Sequence, residues 1–143
     1  MIKTILLLDD DPDEQFILRD AFASLQLEVD FKQVLTFPEL LQELDRALVL
    51  PDMLLLDVNL PEQTGVEAIR FLKNHSHYSA LSIVMYTNAS DDHTINECFD
   101  LGASAYMKKT TTLAKLEEHL RNLLAWNTQT VFNIPVTERT FLN

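Results

Sequence analysis

The stretch Pro51-Asp52-Met53-Leu54-Leu55-Leu56-Asp57-Val58-Asn59-Leu60-Pro61 decides the fold. Three consecutive leucines run into a carboxylate, and a proline bounds the segment at either end. So short an apolar run, with no polar residue alternating through it, predicts a strand buried on both faces, as in a parallel sheet covered by helices. Asp57 then stands at the carboxyl end of that strand, the edge where open parallel α/β sheets carry their functional groups. A buried carboxylate is costly unless something compensates its charge. The other strand ends are where the compensation should lie.

On the N-terminal side, Ile2–Leu8 is a compact apolar run that predicts a first strand, ending at Asp9-Asp10-Asp11-Pro12. Asp11 fits a helix N-cap, Pro12 the first helical position and Glu14 the third residue of a capping box. Leu18, Ala21, Phe22 and Leu25 follow at helical spacing. Glu28–Leu35 alternates and predicts a second strand nearer an edge. Thr36-Phe37-Pro38-Glu39 opens a helix through Leu40, Leu41 and Leu44.

Beyond the central strand, Thr64-Gly65-Val66-Glu67 repeats the capping pattern, with Val66, Ile69 and Leu72 as the buried stripe. Leu81–Tyr86 predicts a fourth strand ending at Thr87. Ser90, with Asp91 and Asp92 in the first turn, starts a helix that Gly102 stops. Ala103–Lys108 predicts a fifth strand, and Leu113, Leu116, Leu120 and Leu123 the inner face of a last helix. Five βα units imply a doubly wound, flavodoxin-like α/β sandwich, a five-stranded parallel sheet in the order 2-1-3-4-5 with helices on both faces. Residues 1–125 form this domain. Residues 126–143 form a C-terminal extension whose apolar Val131, Phe132, Ile134, Val136 and Phe141 suit either a flexible end or a segment docked on its own domain or on a second copy, which makes a homodimer one expected assembly.

With 143 residues the chain can bury a core without staples. Its formal charge of −11, from 22 acidic and 11 basic residues, argues against binding nucleic acid or anionic membranes. Cys98 is the only cysteine, so an internal disulfide is excluded and a reducing, cytoplasmic setting is expected. The N-terminal run is too short for a membrane span and lacks the form of a signal peptide. The four histidines have no paired zinc spacing with Cys98 and are expected at the surface.

In the predicted fold the strand ends bring together Asp9-Asp10, Asp57, Thr87 and Lys108-Lys109. Clustered carboxylates repel and need a cation. Hard oxygen ligands favour Mg²⁺, which takes one or two carboxylates, keeps waters and bridges to phosphate. A hydroxyl and an ammonium beside it complete what phosphoryl transfer to a carboxylate nucleophile requires. Asp11, explained by capping, is left out of the metal site.

These segments together resemble the receiver domains of bacterial response regulators, of the stand-alone, chemotaxis-regulator-like kind. The motifs are Leu6-Leu7-Leu8-Asp9-Asp10, Leu54-Leu55-Leu56-Asp57 with Pro61 and Gly65, Met85-Tyr86-Thr87, and Gly102-Ala103-Ser104-Ala105-Tyr106-Met107-Lys108-Lys109. The resemblance covers about residues 1–125. It implies that Asp57 accepts a phosphoryl group from the phosphohistidine of a sensor histidine kinase or phosphotransfer protein. It further implies that Asp10, Asp57 and the Asn59 carbonyl ligate Mg²⁺, with Asp9 acting through water. Thr87 and Lys109 would hold phosphoryl oxygens, and Tyr106 would be the switch aromatic coupled to Thr87. Counting from Tyr106 selects Lys109 over Lys108. The family usually has proline after this lysine, in a cis bond; Thr110 stands there instead, so a trans bond is expected. Asn59 and Ala89 flank the site at positions suited to admitting or blocking water.

On this reading the chain is not an enzyme acting on an external substrate. It catalyses only its own phosphorylation and dephosphorylation and signals through a downstream protein target. A small aspartyl-nucleophile phosphohydrolase is the competing class, since Asp9-Asp10-Asp11 contains an Asp-x-Asp spacing. Pro12 interrupts that motif, and the later acidic pair is missing. A degenerate scaffold is a third class, against which the intact Asp10, Asp57, Thr87 and Lys109 argue.

Overall fold

The computed structural model describes residues 2–88, 91–125 and 140–142. The strands are β1 (Thr4–Leu8), β2 (Asp30–Val34), β3 (Met53–Leu56), β4 (Ile83–Thr87), β5 (Ala105–Lys108) and β6 (Thr140–Leu142). The helices are α1 (Glu14–Ser24), α2 (Phe37–Arg46), α3 (Gly65–Asn74), α4 (Asp92–Asp100) and α5 (Leu113–Ala125). The first five strands run parallel in the predicted order β2-β1-β3-β4-β5. No helix among the described residues is long and apolar enough to cross a membrane.

β3 has the character its leucines predict. Met53 to Leu56 are each at most 1% exposed. Leu54 and Leu56 point into one core with α2, α3 and α4, where Leu40, Leu44, Ile69, Leu72 and Cys98 meet them. Met53 and Leu55 point into the other, with Leu18 and Phe22 of α1 and Leu116, Leu120 and Leu123 of α5. Each fully buried leucine contributes about 1.5–3 kcal/mol, so this short strand is a large part of what closes the two layers on the sheet.

The helix boundaries follow from side-chain caps. The Thr36 hydroxyl accepts from the Glu39 N–H at 3.3 Å, and the Leu35 N–H donates to Glu39 Oε2 at 3.0 Å. Thr64 does the same for α3, accepting from the Glu67 N–H at 3.2 Å. Thr112 accepts from the Lys115 N–H at 3.3 Å at the head of α5. Gly102, at φ 117°, ends α4, and the Gly102 and Ala103 N–H groups donate to Phe99 and Cys98 carbonyls. Gln26 takes the equivalent left-handed position after α1 at φ 56°, turning the chain before β2 starts at Asp30.

Gly65 has a different reason to be glycine. A Cβ there would lie 2.5 Å from the Val58 Cα, a contact with backbone that no rotamer change relieves. Its N–H also donates to the Val58 carbonyl at 2.9 Å, folding the loop after β3 back on itself beside Asp57. Gly65→Ala should therefore cost about 1–3 kcal/mol of stability by overpacking. Urea unfolding checks this; a midpoint equal to wild type would show that the loop yields freely.

Several local expectations are corrected. Asp11 does not cap α1: the N-cap is Asp13, without a side-chain bond, and the Asp11 carboxylate instead accepts the Asp13 N–H at 3.0 Å. α4 is capped by Asp91, which accepts from the His93 and Thr94 N–H groups, while Ser90 and Ala89 lie outside the described residues. Leu113 is 50% exposed and not on the inner face of α5. His119 takes a place on that face instead and is only 1% exposed, contrary to a surface histidine. The sheet has a sixth strand. β6 lies parallel to β5, with Tyr106 opposite Phe141, and is the described part of the C-terminal extension.

Burial pushes the His119 imidazole below the ordinary histidine range, aided by the Lys115 charge and opposed by Glu118 and the Lys108 backbone. Neither ring nitrogen has a well-formed hydrogen-bond partner among the described residues. The folded state thus binds this proton less readily than the unfolded chain, and stability falls as pH drops below the unfolded value of about 6.5. His119→Leu should flatten this dependence, which for one proton cannot exceed about 1.4 kcal/mol per pH unit. Unfolding free energies of both proteins between neutral and mildly acid pH measure it; parallel curves would refute the assignment.

Candidate functional site

Asp9, Asp57 and Lys109 each immediately follow a strand. The Asp9 N–H donates to the Val34 carbonyl at 3.2 Å, the Asp57 N–H to Leu8 at 2.9 Å and the Lys109 N–H to Thr87 at 3.0 Å. Each bond carries the ladder one residue beyond its strand, so backbone pairing fixes where these side chains begin. The two aspartates flanking β3 divide the work. Asp52, at the opposite end, accepts from the Lys3 and Thr4 N–H groups and the Thr4 hydroxyl. Those bonds outweigh its burial and hold it below the ordinary carboxylate range. Asp52 is a structural tie for the start of β1.

Asp57 is 7% exposed and is held mostly by side chains. Its Oδ1 accepts from the Asn59 N–H and the Thr87 hydroxyl, each at 2.9 Å. Its Oδ2 accepts from the Lys109 ammonium at 3.1 Å. The same ammonium lies 2.6 Å from Asp9 Oδ2 and 3.4 Å from Glu14 Oε1. Burial disfavours the Lys109 charge, but the Asp9 hydrogen bond and the Asp57, Asp9 and Glu14 charges more than offset it and hold its pKa above the ordinary lysine range. Asp9 is fully buried, and burial pushes its pKa up against the pull of Lys109 and the Asp11 N–H.

Asp9, Asp10 and Asp57 can each present an oxygen with all three within 4.8 Å of one another. Asp10 is exposed while the other two are buried, so the cluster opens to solvent on the Asp10 side. Three hard oxygen donors that converge on one point fit a divalent cation of the Mg²⁺ type. Asp11 is outside this cluster.

Thr87 is fully buried and donates inward to Asp57. Tyr106 is 6% exposed and packs in the core shared with α4, beside Cys98 and Phe99. Burial raises its phenol pKa. Lys108 is exposed, as alternation along β5 requires. The Lys109–Thr110 bond is trans, as expected without proline. Glu14 was absorbed into a capping pattern by sequence reasoning; it reaches the site because α1 begins with it.

The chain matches the response regulator receiver domain over residues 5–121. The chain belongs to the response regulator receiver family. Among curated relatives of this receiver domain, the transcriptional regulatory protein GltR of Pseudomonas aeruginosa is 28% identical over 129 residues, spanning 85% of this chain and 49% of GltR. The KDP operon transcriptional regulatory protein KdpE of Escherichia coli is 31% identical over 128 residues, spanning 88% of this chain and 54% of KdpE. The receiver domain thus covers about half the length of these two proteins. Among solved structures, the response regulator RPA3017 in red light signaling of R. palustris superimposes with a TM-score of 0.79 at 24% identity, covering 89% of this chain and 96% of that one. The phosphorylated cyanobacterial phytochrome response regulator RcpA gives 0.71 at 22% identity, covering 94% and 91%. At these identities the structural likeness establishes the fold. The receiver domain is a component of two-component signalling and carries an acidic site able to hold a metal ion.

Proposed function

We propose that this receiver domain is a phosphorylation-dependent switch in which Asp57 accepts a phosphoryl group from the phosphohistidine of a sensor histidine kinase or a phosphotransfer protein. The observation that carries this reading is the environment of Asp57: a carboxylate at a strand end, gripped by Thr87 and Lys109 and flanked by Asp9 and Asp10. An Asp57 oxygen attacks phosphorus as the bond to the histidine nitrogen breaks; the electron pair of that bond stays on the imidazole, and a proton held on its other ring nitrogen or taken from solvent leaves the ring neutral. The Thr87 hydroxyl and the Lys109 ammonium, both already on Asp57, are placed to pass to phosphoryl oxygens as the charge moves outward. A bound Mg²⁺ would neutralise charge on the incoming group, with Asp10, Asp57 and the Asn59 carbonyl as its ligands and Asp9 behind water.

The switch follows from the same contacts. Thr87 is turned toward Asp57 and Tyr106 is buried, and this pairing supports Tyr106 as the aromatic whose position reports on Thr87. Phosphorylation acts as a population shift, favouring the state in which both groups point inward. A downstream protein then reads the surface of α4, β5 and α5. Catalysis is confined to the domain's own phosphorylation and dephosphorylation. The excess of acidic residues favours protein partners over nucleic acid, and the cytoplasm, where such kinases present phosphohistidine, is the proposed location. The extension from residue 126 is proposed as a separate segment that docks on this domain or on a second copy in a homodimer.

Incubation with acetyl phosphate and Mg²⁺, followed by mass mapping, tests the reading. One phosphoryl group on the peptide containing Asp57, removable by hydroxylamine, is expected. An unlabelled chain, or a label on another residue, would overturn it.

A further inference from the structure

Two groups beside Lys109, Glu14 and Tyr86, lie outside the metal cluster and have no part in the proposed phosphoryl transfer. Glu14 Oε1 lies 3.4 Å from the ammonium, and Glu14 Oε2 accepts from the Tyr86 hydroxyl at 3.4 Å. The Tyr86 ring itself lies 5.5 Å from the same ammonium, measured to the ring centre. The Glu14 side chain is only 13% exposed and Tyr86 only 2%. Tyr86 is anchored in the core with α1 and α5, on the opposite face of β4 from Thr87, so its ring is a fixed wall. Glu14 is the first residue of α1, where the helix N-terminus favours a carboxylate.

Backbone pairing with Thr87 fixes where the Lys109 side chain begins but not where its ammonium ends. The bond to Thr110 is trans and no proline follows it, and the loop is braced by a Thr110 hydroxyl bond to the Thr112 carbonyl at 3.1 Å. A four-carbon stem leaving such a loop must be aimed at its far end. We propose that Glu14 and Tyr86 form a shared anchor that positions Lys109, holding its ammonium on the α1 side of the site so that it does not close entirely onto Asp57. Asp57 keeps lone pairs free to attack, and the ammonium stays within reach of the phosphoryl oxygens once Asp57 carries them. Both are positioning residues, acting through Lys109. The inference rests on the proposed role of Lys109 as a ligand of the phosphoryl group.

The test uses the full chain and the variants Glu14→Gln, Tyr86→Phe and their combination; the first is isosteric and the second removes one atom, so packing is retained. Two readouts are taken. The first is the rate of acyl-phosphate formation at saturating acetyl phosphate and Mg²⁺, together with the donor concentration at half saturation. The second is the acylation of the Lys109 amine by an amine-directed reagent without donor, with the neighbouring Lys108 as internal reference. Glu14→Gln should slow formation on the order of fivefold, as a misplaced charge does, and leave half saturation unchanged. It should raise the Lys109 to Lys108 acylation ratio by a similar factor. Tyr86→Phe should move both readouts the same way by less, and the double variant should be no slower than Glu14→Gln, because carboxylate and phenol act through one contact. Wild-type rate and ratio in Glu14→Gln, or effects that multiply in the double variant, overturn the shared anchor. Lys109→Ala separates the two levels. If it forms acyl phosphate at the wild-type rate, the phosphoryl role of Lys109 falls. If it is impaired while the Glu14 and Tyr86 variants match wild type in both readouts, the anchor alone falls.

Discussion

Asp57→Ala should form no acyl phosphate above background, a loss of at least about a hundredfold, or roughly 2.7 kcal/mol of transition-state stabilisation. The reason is chemical: on the proposed mechanism the side chain supplies the atom that bonds to phosphorus, and neither neighbouring aspartate is placed to replace it. Asp9 is nearby but fully buried and already hydrogen-bonded at both oxygens, to the Asp11 N–H and to Lys109. Asp10 is exposed and lies within the same cluster, but among the described residues the convergent hydroxyl and ammonium donors are on Asp57. Asp52→Ala is the matched control. It removes a carboxylate from the other end of the same strand, where three donors hold it in a purely structural role. That variant should melt at a lower temperature and label at the wild-type rate. Equal labelling of wild type and Asp57→Ala would remove Asp57 from its role.

Lys109→Ala should slow labelling by about a hundredfold while Lys108→Ala labels normally. An ammonium aimed at oxygens that gain charge in the transition state is worth about 2.7–4 kcal/mol in a dry site. Lys109 meets three carboxylates within 3.4 Å, whereas Lys108 is exposed. The same substitution has a second, measurable cost. The folded-state pKa of Lys109 is raised, so its stabilising contribution is fully present at neutral pH and is lost only as pH climbs through that raised value. Removing it at neutral pH strands Asp9 and Asp57 without their partner and should cost about 3 kcal/mol in the absence of divalent cation. Millimolar Mg²⁺ should restore part of the lost stability, because it returns positive charge to the same carboxylates. Loss of labelling with Lys108→Ala and its retention with Lys109→Ala would reverse the assignment.

The fold was legible because the parallel sheet is written in contiguous apolar runs. Leu54-Leu55-Leu56 could be only a doubly covered strand, and the capping pairs Thr36–Glu39 and Thr64–Glu67 mark helix starts through bonds made within four residues. The site was legible for a related reason: in this topology, strand ends converge, so reading them in order collects Asp9, Asp10, Asp57, Thr87 and the pair Lys108-Lys109, from which the family resemblance selects Lys109. What escaped depends on longer-range facts. Asp11, with Glu14 three residues on, satisfies the capping-box pattern, yet the turn after β1 delays α1 so that Asp13 is its N-cap. Glu14 looked fully explained by that pattern, yet its carboxylate is turned to Lys109, 95 positions away in the sequence as numbered. His119 left a visible signal, since it falls between Leu116 and Leu120 on the buried stripe of α5, but its polarity argued the other way. The strand at Thr140–Leu142 carries no distinguishing pattern, and its place follows from the open edge that β5 offers.

The sheet separates two cores that share no side chain, and β4 feeds both by simple alternation. Met85 belongs to the layer of α2, α3 and α4, and Tyr86 to the layer of α1 and α5. Odd and even positions near Asp57 are therefore wired to different halves of the molecule. Thr87 and Tyr106 face one compartment, while Tyr86 and Glu14 brace Lys109 from the other. Slipping β4 by a single residue would put a phenol where the threonine hydroxyl meets Asp57 and would send the threonine into the wrong compartment. Strand parity thus assigns Met85 and Tyr86 to different layers, and Asp57, hydrogen-bonded to both Thr87 and Lys109, is where the two layers meet.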